Sequence, residues 1–307
     1  MKIVLSGGTG FIGGALLRQL QETKNQVVLL TRKPEAIKKL AKDTVEIIFW
    51  DGKTMGSWAK CLDGSDAIIN LAGEPIAKKR WTKEQKRRII NSRVEATKAM
   101  VTAIAETKKK PSILVNASAV GFYGNVEDED VTESHPKGND FVADVCEQWE
   151  REACMAEALD IRVVLPRFGV VLAKDGGAFK KMQLPFKLFV GGPLGTGRQW
   201  FSWVHREDVI GVILFALEQS KLSGPVNVVA PEPVTMKQFC KTLGKALGRP
   251  SWAPVPALVL RALLGEMAEM FLTGQRVIPK KLEELGYQFQ YPKLEEALSA
   301  ILSKEAN

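Results

Sequence analysis

The chain opens on a short apolar run, Lys2-Ile3-Val4-Leu5-Ser6, which passes at once into Gly7-Gly8-Thr9-Gly10-Phe11-Ile12-Gly13-Gly14. The residues from Phe11 to Gln21 then repeat their apolar positions at helical spacing. A strand, a glycine-paced turn and a helix in this order leave few choices of fold. Gly7 permits the tight turn, Gly10 lets a ligand approach the backbone, and Gly13 lets the helix pack close to the strand. The free N–H groups and positive dipole end of that helix suit a phosphate. The motif therefore predicts a dinucleotide pyrophosphate at the turn, held by Gly7, Thr9, Gly10, Phe11, Ile12 and Gly13.

The pattern continues as alternating strand and helix to about residue 165. Strands are expected at Lys2–Ser6, Gln26–Thr31, Val45–Trp50, Ala67–Leu71, Ser112–Ala117 and Ile161–Leu165, with helices at Phe11–Gln21, Pro34–Lys42, Thr82–Thr107 and Asp140–Leu159. Thr82 and Asp140 are suited to cap their helices. The strands are apolar almost throughout, so both faces of the sheet should be covered. This is an α/β chain with a Rossmann-type, doubly wound parallel sheet. After residue 170 the pattern changes. Gly and Pro cluster at 191–197, one further strand is expected at Val226–Val229, and helices predominate, Ala253–Leu264 and Leu282–Leu302 among them. The expected division is a dinucleotide-binding domain over 1–170, its sheet completed by 205–230, and a smaller, mainly helical substrate-side region over 171–204 and 231–307.

The second strand ends Leu29-Leu30-Thr31-Arg32-Lys33. A site preferring NAD would carry an acid there for the ribose 2′-hydroxyl. Arg32 instead suits a 2′-phosphate, with Thr31 and Lys33 beside it, and NADP(H) is the expected cofactor. Asp51 and Gly52 follow the third strand, where they either flank the adenine or simply turn the chain.

Lys and Arg number 43 against 35 Asp and Glu, an excess of +8 that favours an anionic ligand. The basic run Lys78-Lys79-Arg80-Trp81-Thr82-Lys83, continued by Lys86-Arg87-Arg88, offers only Trp81 as a stacking aromatic. That disfavours nucleic acid and leaves a solvated helix face or cations that hold a small anionic substrate. Cys61, Cys146, Cys154 and Cys240 are scattered, and His135 and His205 are the two histidines, so no metal site is expected. The cysteine usage fits a cytoplasmic protein, and the chain has no stretch suited to spanning a membrane.

Four further stretches complete a resemblance. They are Asn70-Leu71-Ala72-Gly73-Glu74, Ala117-Ser118-Ala119-Val120-Gly121-Phe122-Tyr123-Gly124, Pro166-Arg167-Phe168-Gly169-Val170-Val171-Leu172, and Gly195-Thr196-Gly197-Arg198-Gln199-Trp200-Phe201-Ser202-Trp203-Val204-His205-Arg206-Glu207-Asp208-Val209. With the glycine turn, they make the chain similar to the extended and atypical short-chain dehydrogenase/reductase superfamily. Within it, the chain resembles the NAD(P)-dependent epimerase-like branch that carries a C-terminal domain of unknown function. The resemblance implies that Ala72, Gly73, Arg167 and Gly169 join the cofactor site. It also implies that Ser118 matches the catalytic serine, that Tyr123 stands beside the nicotinamide, and that Glu74, Trp203 and His205 lie on the substrate side.

One feature of that superfamily is missing. Its chemistry uses a YxxxK pair, in which the lysine lowers the tyrosine pKa. Here the residues four places after Tyr123, Tyr287 and Tyr291 are Glu127, Tyr291 and Glu295. The corresponding segment puts Val142 or Ala143 at the tyrosine and Cys146 or Glu147 at the lysine, and Arg93 replaces a family asparagine. A lost general acid costs about 10²–10⁴ in rate, so another donor is needed. Tyr123 is the first candidate, followed by Ser118, Cys146 and Asp144. The reading is an NADP(H)-dependent oxidoreductase or epimerase-like enzyme acting on a carbonyl or secondary alcohol; the rival is a non-catalytic NADP(H)-binding sensor or scaffold.

Overall fold

The computed structural model describes residues 1–23, 25–36 and 44–303. Its main sheet contains β1 (Lys2–Ser6), β2 (Gln26–Thr31), β3 (Val45–Phe49), β4 (Ala67–Asn70), β5 (Ile113–Asn116), β6 (Arg162–Phe168) and β7 (Gly224–Val228). The order across the sheet is β3-β2-β1-β4-β5-β6-β7, every neighbouring pair is parallel, and the short strand Ser118–Ala119 also pairs with β6. The order reverses between β1 and β4, which opens a crevice at the carboxyl ends of these strands.

The apolar strands are explained by two separate cores. Ile3, Leu5, Val27, Leu29, Ile69 and Val115 pack on one face, against Leu16 and Leu20 of α1 (Gly13–Gln21). Val4, Val28, Ile68 and Leu114 alternate to the other face, where they meet Ala96, Met100 and Ala103 of α2 (Lys83–Glu106). Side chains of a strand point alternately up and down, so a sheet covered on both faces needs no polar position. Beside α2 lies α3 (Phe141–Cys154). Thr82 caps α2 by accepting from the Gln85 amide, and Asp140 caps α3 by accepting from Val142 and Ala143.

A second lobe surrounds its own core of Phe179, Phe186, Phe201, Trp203, Phe239, Leu243 and Leu298. Its helices include α4 (Gly177–Lys187), α6 (Met236–Leu247) and α7 (Ala257–Leu264), while α5 (Arg206–Glu218) packs on the main sheet with Val209 and Ile213. A small parallel pairing of Val170–Leu172 with Trp203–His205 leads from one lobe to the other.

Some element bounds differ from expectation. The helix expected over Leu282–Leu302 is two helices, Lys280–Glu284 and Leu294–Ser303, because Gly286 turns the chain at φ +75 and Pro292 stands before the second. The helix expected from Ala253 starts at Ala257, after Pro254 and Pro256. Of the helix expected over Pro34–Lys42, Pro34–Ala36 forms a 3₁₀ turn and the remainder lies outside the described residues.

Candidate functional site

The glycine turn is built to hold its shape, with the Gly10 amide donating to the Gly7 carbonyl at 2.9 Å. Gly7 adopts φ +72, and a Cβ there would lie 2.5 Å from the Leu71 carbonyl carbon. A Cβ on Gly13 would lie 2.3 Å from the Gly7 oxygen, so the first turn of α1 sits directly against the loop. Thr9 and Gly10 are exposed. The N-terminus of α1 has no side-chain cap and no acid in its first turn. The Gly14 and Ala15 amides donate to the Gly10 and Ile12 carbonyls, and the positive dipole end, with no acid beside it, suits a pyrophosphate. Phe11 turns the other way: its ring fits against Gly176 and Gly177, where a Cβ would come within 2.7 and 2.8 Å, and the Arg206 guanidinium lies 5.2 Å from its centroid.

Thr31 is buried at the end of β2, its hydroxyl accepting from the Lys33 amide at 3.2 Å, and this turns Arg32 and Lys33 into solvent. Two exposed cations at the edge of the crevice fit a 2′-phosphate. Asp51 resolves in favour of a chain turn, since its carboxylate accepts from the Lys53 and Thr54 amides and the Thr54 hydroxyl.

The floor of the crevice is a polar relay that the sequence does not announce. Ser6 donates to Asn70 Oδ1 at 2.5 Å, Asn70 Nδ2 donates to Asn116 Oδ1 at 2.7 Å and to Thr97, and the Trp149 indole donates to Thr97 at 3.0 Å. These groups are buried, and they tie together the carboxyl ends of β1, β4 and β5 with α2 and α3. Sequence patterns register such residues only as polar interruptions at strand ends. The relay shows in Ser6, Asn70 and Asn116 closing three otherwise apolar strands at matching register.

Tyr123, expected as the leading proton donor, has its hydroxyl engaged within the protein. It is 1% exposed, its hydroxyl donates to Asn227 Oδ1 at 2.6 Å and accepts from Arg167 Nη1 at 2.9 Å, and burial pushes its pKa up to about 12 against the pull of Arg167. Ser118 is likewise buried and donates to Glu150 Oε1 at 2.5 Å. Arg167 is engaged inside the protein. Its guanidinium forms a bidentate pair with Glu150 at 2.8 and 2.7 Å and lies 3.5 Å from the Phe122 centroid. Gly169 serves packing, since a Cβ would lie 2.7 Å from the Ser202 oxygen. Together these residues form a strut that joins α3, β6, β7 and the turn after β5.

The expected substrate side also changes. Trp203 lies wholly in the core of the second lobe. His205 is buried, caps α5 by accepting from the Glu207 amide, and stacks on Tyr291 with centroids 3.9 Å apart. Asp208 accepts from the Gln290 and Tyr291 amides. The stretch from Val204 to Asp208 thus anchors the chain leading into the last helix. Of the three expected substrate contacts, only Glu74 stays partly open, near Lys78 at 3.4 Å. Cys146 is buried with its thiol pushed up to about 12 by burial, and Asp144 pairs with Lys137 at 2.7 Å. Neither is placed as an acid catalyst.

Arg93, noted in the sequence only as a departure, brings a cation and not a proton donor to the site. A Cβ on Gly73 would lie 3.2 Å from its Cζ, the Trp149 ring lies 5.0 Å away, and its guanidinium has a hydrogen bond to the Ile89 carbonyl at 3.0 Å. Burial lowers its pKa, while Cys146 and Glu74 favour the charge. A guanidinium so placed remains a cation. It stands beside Cys146, one of the two positions at which the resemblance expects the lysine.

The basic stretch after Glu74 divides its duties. Arg88 pairs with Glu84 along α2, whereas Arg80 donates to the Ala262 carbonyl and Lys86 pairs with Glu266, fastening the second lobe to α2. Among the described residues no cluster of His, Cys, Asp and Glu could hold a metal, and no helix is long and apolar enough to cross a membrane.

The family model of the NAD dependent epimerase/dehydratase family matches residues 3–229, which covers the glycine turn, the polar relay and the strut. The chain belongs to that family. A second model, for a domain of unknown function, DUF1731, matches residues 255–301. The family member from Arabidopsis thaliana named "Epimerase family protein SDR39U1 homolog, chloroplastic" is 42% identical over 98% of this chain and 87% of its own length. The Bacillus subtilis "Epimerase family protein YfhF" is 40% identical over 99% of this chain and 98% of its own. Among solved structures, the human epimerase family protein SDR39U1 (isoform 2) with NADPH superposes with a TM-score of 0.88 at 35% identity, covering 99% of both chains. A UDP-glucuronic acid 4-epimerase from Bacillus cereus superposes with a TM-score of 0.78 at 19% identity, a likeness of fold.

Proposed function

We propose that this epimerase-family protein binds NADP(H) and exchanges a hydride with a carbonyl or secondary alcohol of a small anionic molecule. The observation that carries the reading is the pairing of an uncapped, acid-free α1 N-terminus with exposed Arg32 at the end of β2. The human relative solved with NADPH supports the same cofactor.

Gly7, Thr9, Gly10, Ile12 and Gly13 would hold the pyrophosphate, Thr31, Arg32 and Lys33 the 2′-phosphate, and Ala72 and Gly73 the nicotinamide half, while Phe11 docks the loop on the second lobe. When bound, the cofactor supplies a hydride donor or acceptor at its nicotinamide ring. The chain's own contribution is charge and position. Arg93 holds the substrate oxygen and compensates the negative charge that grows on it, while solvent water at the open crevice supplies the proton that completes reduction to the alcohol and takes it up in the reverse direction. Tyr123 and Ser118 have no part in that step, because their hydroxyls are already used inside the strut.

Turnover of a panel of carbonyl and nucleotide-sugar substrates by wild type and Arg93→Gln tests this. Loss of one such electrostatic contact lowers kcat about 10²–10³-fold. NADPH affinity that stays within a factor of about two would place Arg93 on the substrate rather than on the cofactor. A second reading, a non-catalytic NADP(H) sensor, is favoured by the engagement of Tyr123 and Ser118 and the missing YxxxK pair. It predicts cofactor binding with no turnover across the panel and a partner whose affinity differs between NADPH and NADP⁺.

A further inference from the structure

Two segments of the second lobe carry an unusual charge pattern. Residues 176–205 contain four Lys and Arg and no Asp or Glu, and residues 236–264 contain five and none. These segments lie side by side. The Trp252 and Ala253 amides donate to the Gly191 carbonyl, the Val255 amide donates to Pro193, and the Trp252 indole donates to the Phe189 carbonyl at 2.9 Å. All nine cations are exposed, Arg261 being paired with Glu269 at 2.7 Å and Lys181 donating to the Ala77 carbonyl at 3.3 Å.

The same two segments expose bulky apolar groups. Leu184 is 58% exposed, Leu188 63%, Phe189 53% and Trp252 66%, and on α7, which follows Trp252 in the chain, Leu258 is 79% and Leu263 64% exposed. Single exposed apolar residues are ordinary, but a group of leucines and aromatics is not. Phe189 carries a further sign. It closes α4 at φ +62, a left-handed position that favours glycine, and there its ring stands in solvent with the Arg249 guanidinium 4.4 Å from the centroid. The left-handed turn that ends α4, in which the Val190 amide donates to the Pro185 carbonyl, thus falls on an outward aromatic in place of a glycine.

We propose that this face docks on the surface of an anionic lipid bilayer, the leucines and aromatics entering the acyl boundary and the surrounding cations meeting the headgroups. Charge complementarity selects the occupant. Two copies of the chain joined through this face would set cations against cations. A nucleic acid would satisfy the cations but offers no apolar medium for Leu188, Leu258 and Leu263. A bilayer interface supplies both, and binding there rises with buried apolar area and with anionic charge. A surface-bound protein needs no spanning helix, so the absence of one among the described residues is compatible with this role.

Sedimentation with vesicles of phosphatidylglycerol and phosphatidylcholine in equal parts, and with phosphatidylcholine alone, tests the proposal on the full chain. Wild type is expected to bind the anionic vesicles at least about tenfold more strongly, with affinity falling as salt rises. Leu258→Ser with Leu263→Ser, both at exposed sites, is expected to weaken that binding about tenfold while thermal stability and NADPH affinity stay unchanged. No binding to either vesicle, equal binding to both, or binding indifferent to the paired substitution would each overturn the proposal. So would self-association that the paired substitution abolishes, or tighter binding to DNA or RNA than to the vesicles.

Discussion

Tyr123 accepts a hydrogen bond from Arg167 Nη1 at 2.9 Å inside the protein, and that contact decides what the tyrosine does. With the proton of the phenol given to Asn227 at 2.6 Å, both capacities of the hydroxyl are spent on the strut between β6 and β7. Tyr123→Phe is therefore expected to lower stability by about 1–3 kcal/mol, because it leaves Asn227 Oδ1 and Arg167 without that partner. In urea the midpoint should fall with the slope unchanged. NADPH affinity and turnover at low temperature should stay near wild type. Loss of turnover without loss of stability would restore the tyrosine as a proton donor.

Glu150 holds the other end of the strut. It receives both arms of Arg167 and the Ser118 hydroxyl, all buried. Removing one partner of a buried ion pair leaves an uncompensated charge, at a cost of about 3–5 kcal/mol. Glu150→Ala should accordingly be among the most destabilising single substitutions in the chain, and Glu150→Ala with Arg167→Met should recover part of the loss. Additive effects in urea denaturation would contradict the pairing.

The glycines of the turn separate packing from backbone freedom. Gly13→Ala would push a methyl group into the Gly7 carbonyl, whereas Gly52, at φ +84, has nothing within 4 Å of its added Cβ. Gly13→Ala should cost about 1–3 kcal/mol and abolish NADPH binding, since the loop must shift. Gly52→Ala should cost only about 1 kcal/mol of left-handed strain and spare the cofactor. Thermal melts with and without NADPH check both.

Stability should decline in alkali. The Cys61 thiol is pushed up to about 11, Cys146 and Cys240 to about 12, and Tyr123 to about 12, each chiefly by burial, from ordinary values of 9.0 and 10.0. Acids whose native pKa is raised keep their protons in the fold and lose them on unfolding. Their stabilising contribution is full below the unfolded pKa and is lost as pH climbs toward the native one. Urea midpoints should thus fall progressively above about pH 9, and Cys146 should resist alkylation until the protein unfolds. A flat pH profile from 8 to 11 would contradict the burial of these groups.

The fold was legible because its signals are local and repeated. Gly7, Gly10 and Gly13 mark one turn, the apolar strands mark a covered sheet, and Thr82 and Asp140 sit where helix caps belong. The helix boundary near Gly286 was missed because one glycine and one proline interrupt a pattern that otherwise keeps its period. The candidate site was less legible, since a motif names residue types and not the direction in which they point. Trp203, His205 and Arg167 look like ligand contacts in sequence, yet each satisfies a demand of packing: a lobe core, a helix cap and a buried carboxylate. Glu150 and Asn227 escaped notice because their partners lie 17 and 104 residues away. Arg93 showed only as a departure from a family pattern until Gly73 and Trp149 gave it surroundings.

Selection of NADP(H) is assigned to Arg32 at the end of β2. Calorimetric titration of NADPH and NADH into wild type and Arg32→Ala tests it most directly. Wild type should prefer NADPH by about ten- to a hundredfold, the value of a charge-assisted bond of about 1.5–3 kcal/mol, and Arg32→Ala should reduce that preference to near parity while leaving NADH affinity unchanged. Equal binding of the two cofactors by wild type, or a preference for NADPH that survives Arg32→Ala, would contradict the account.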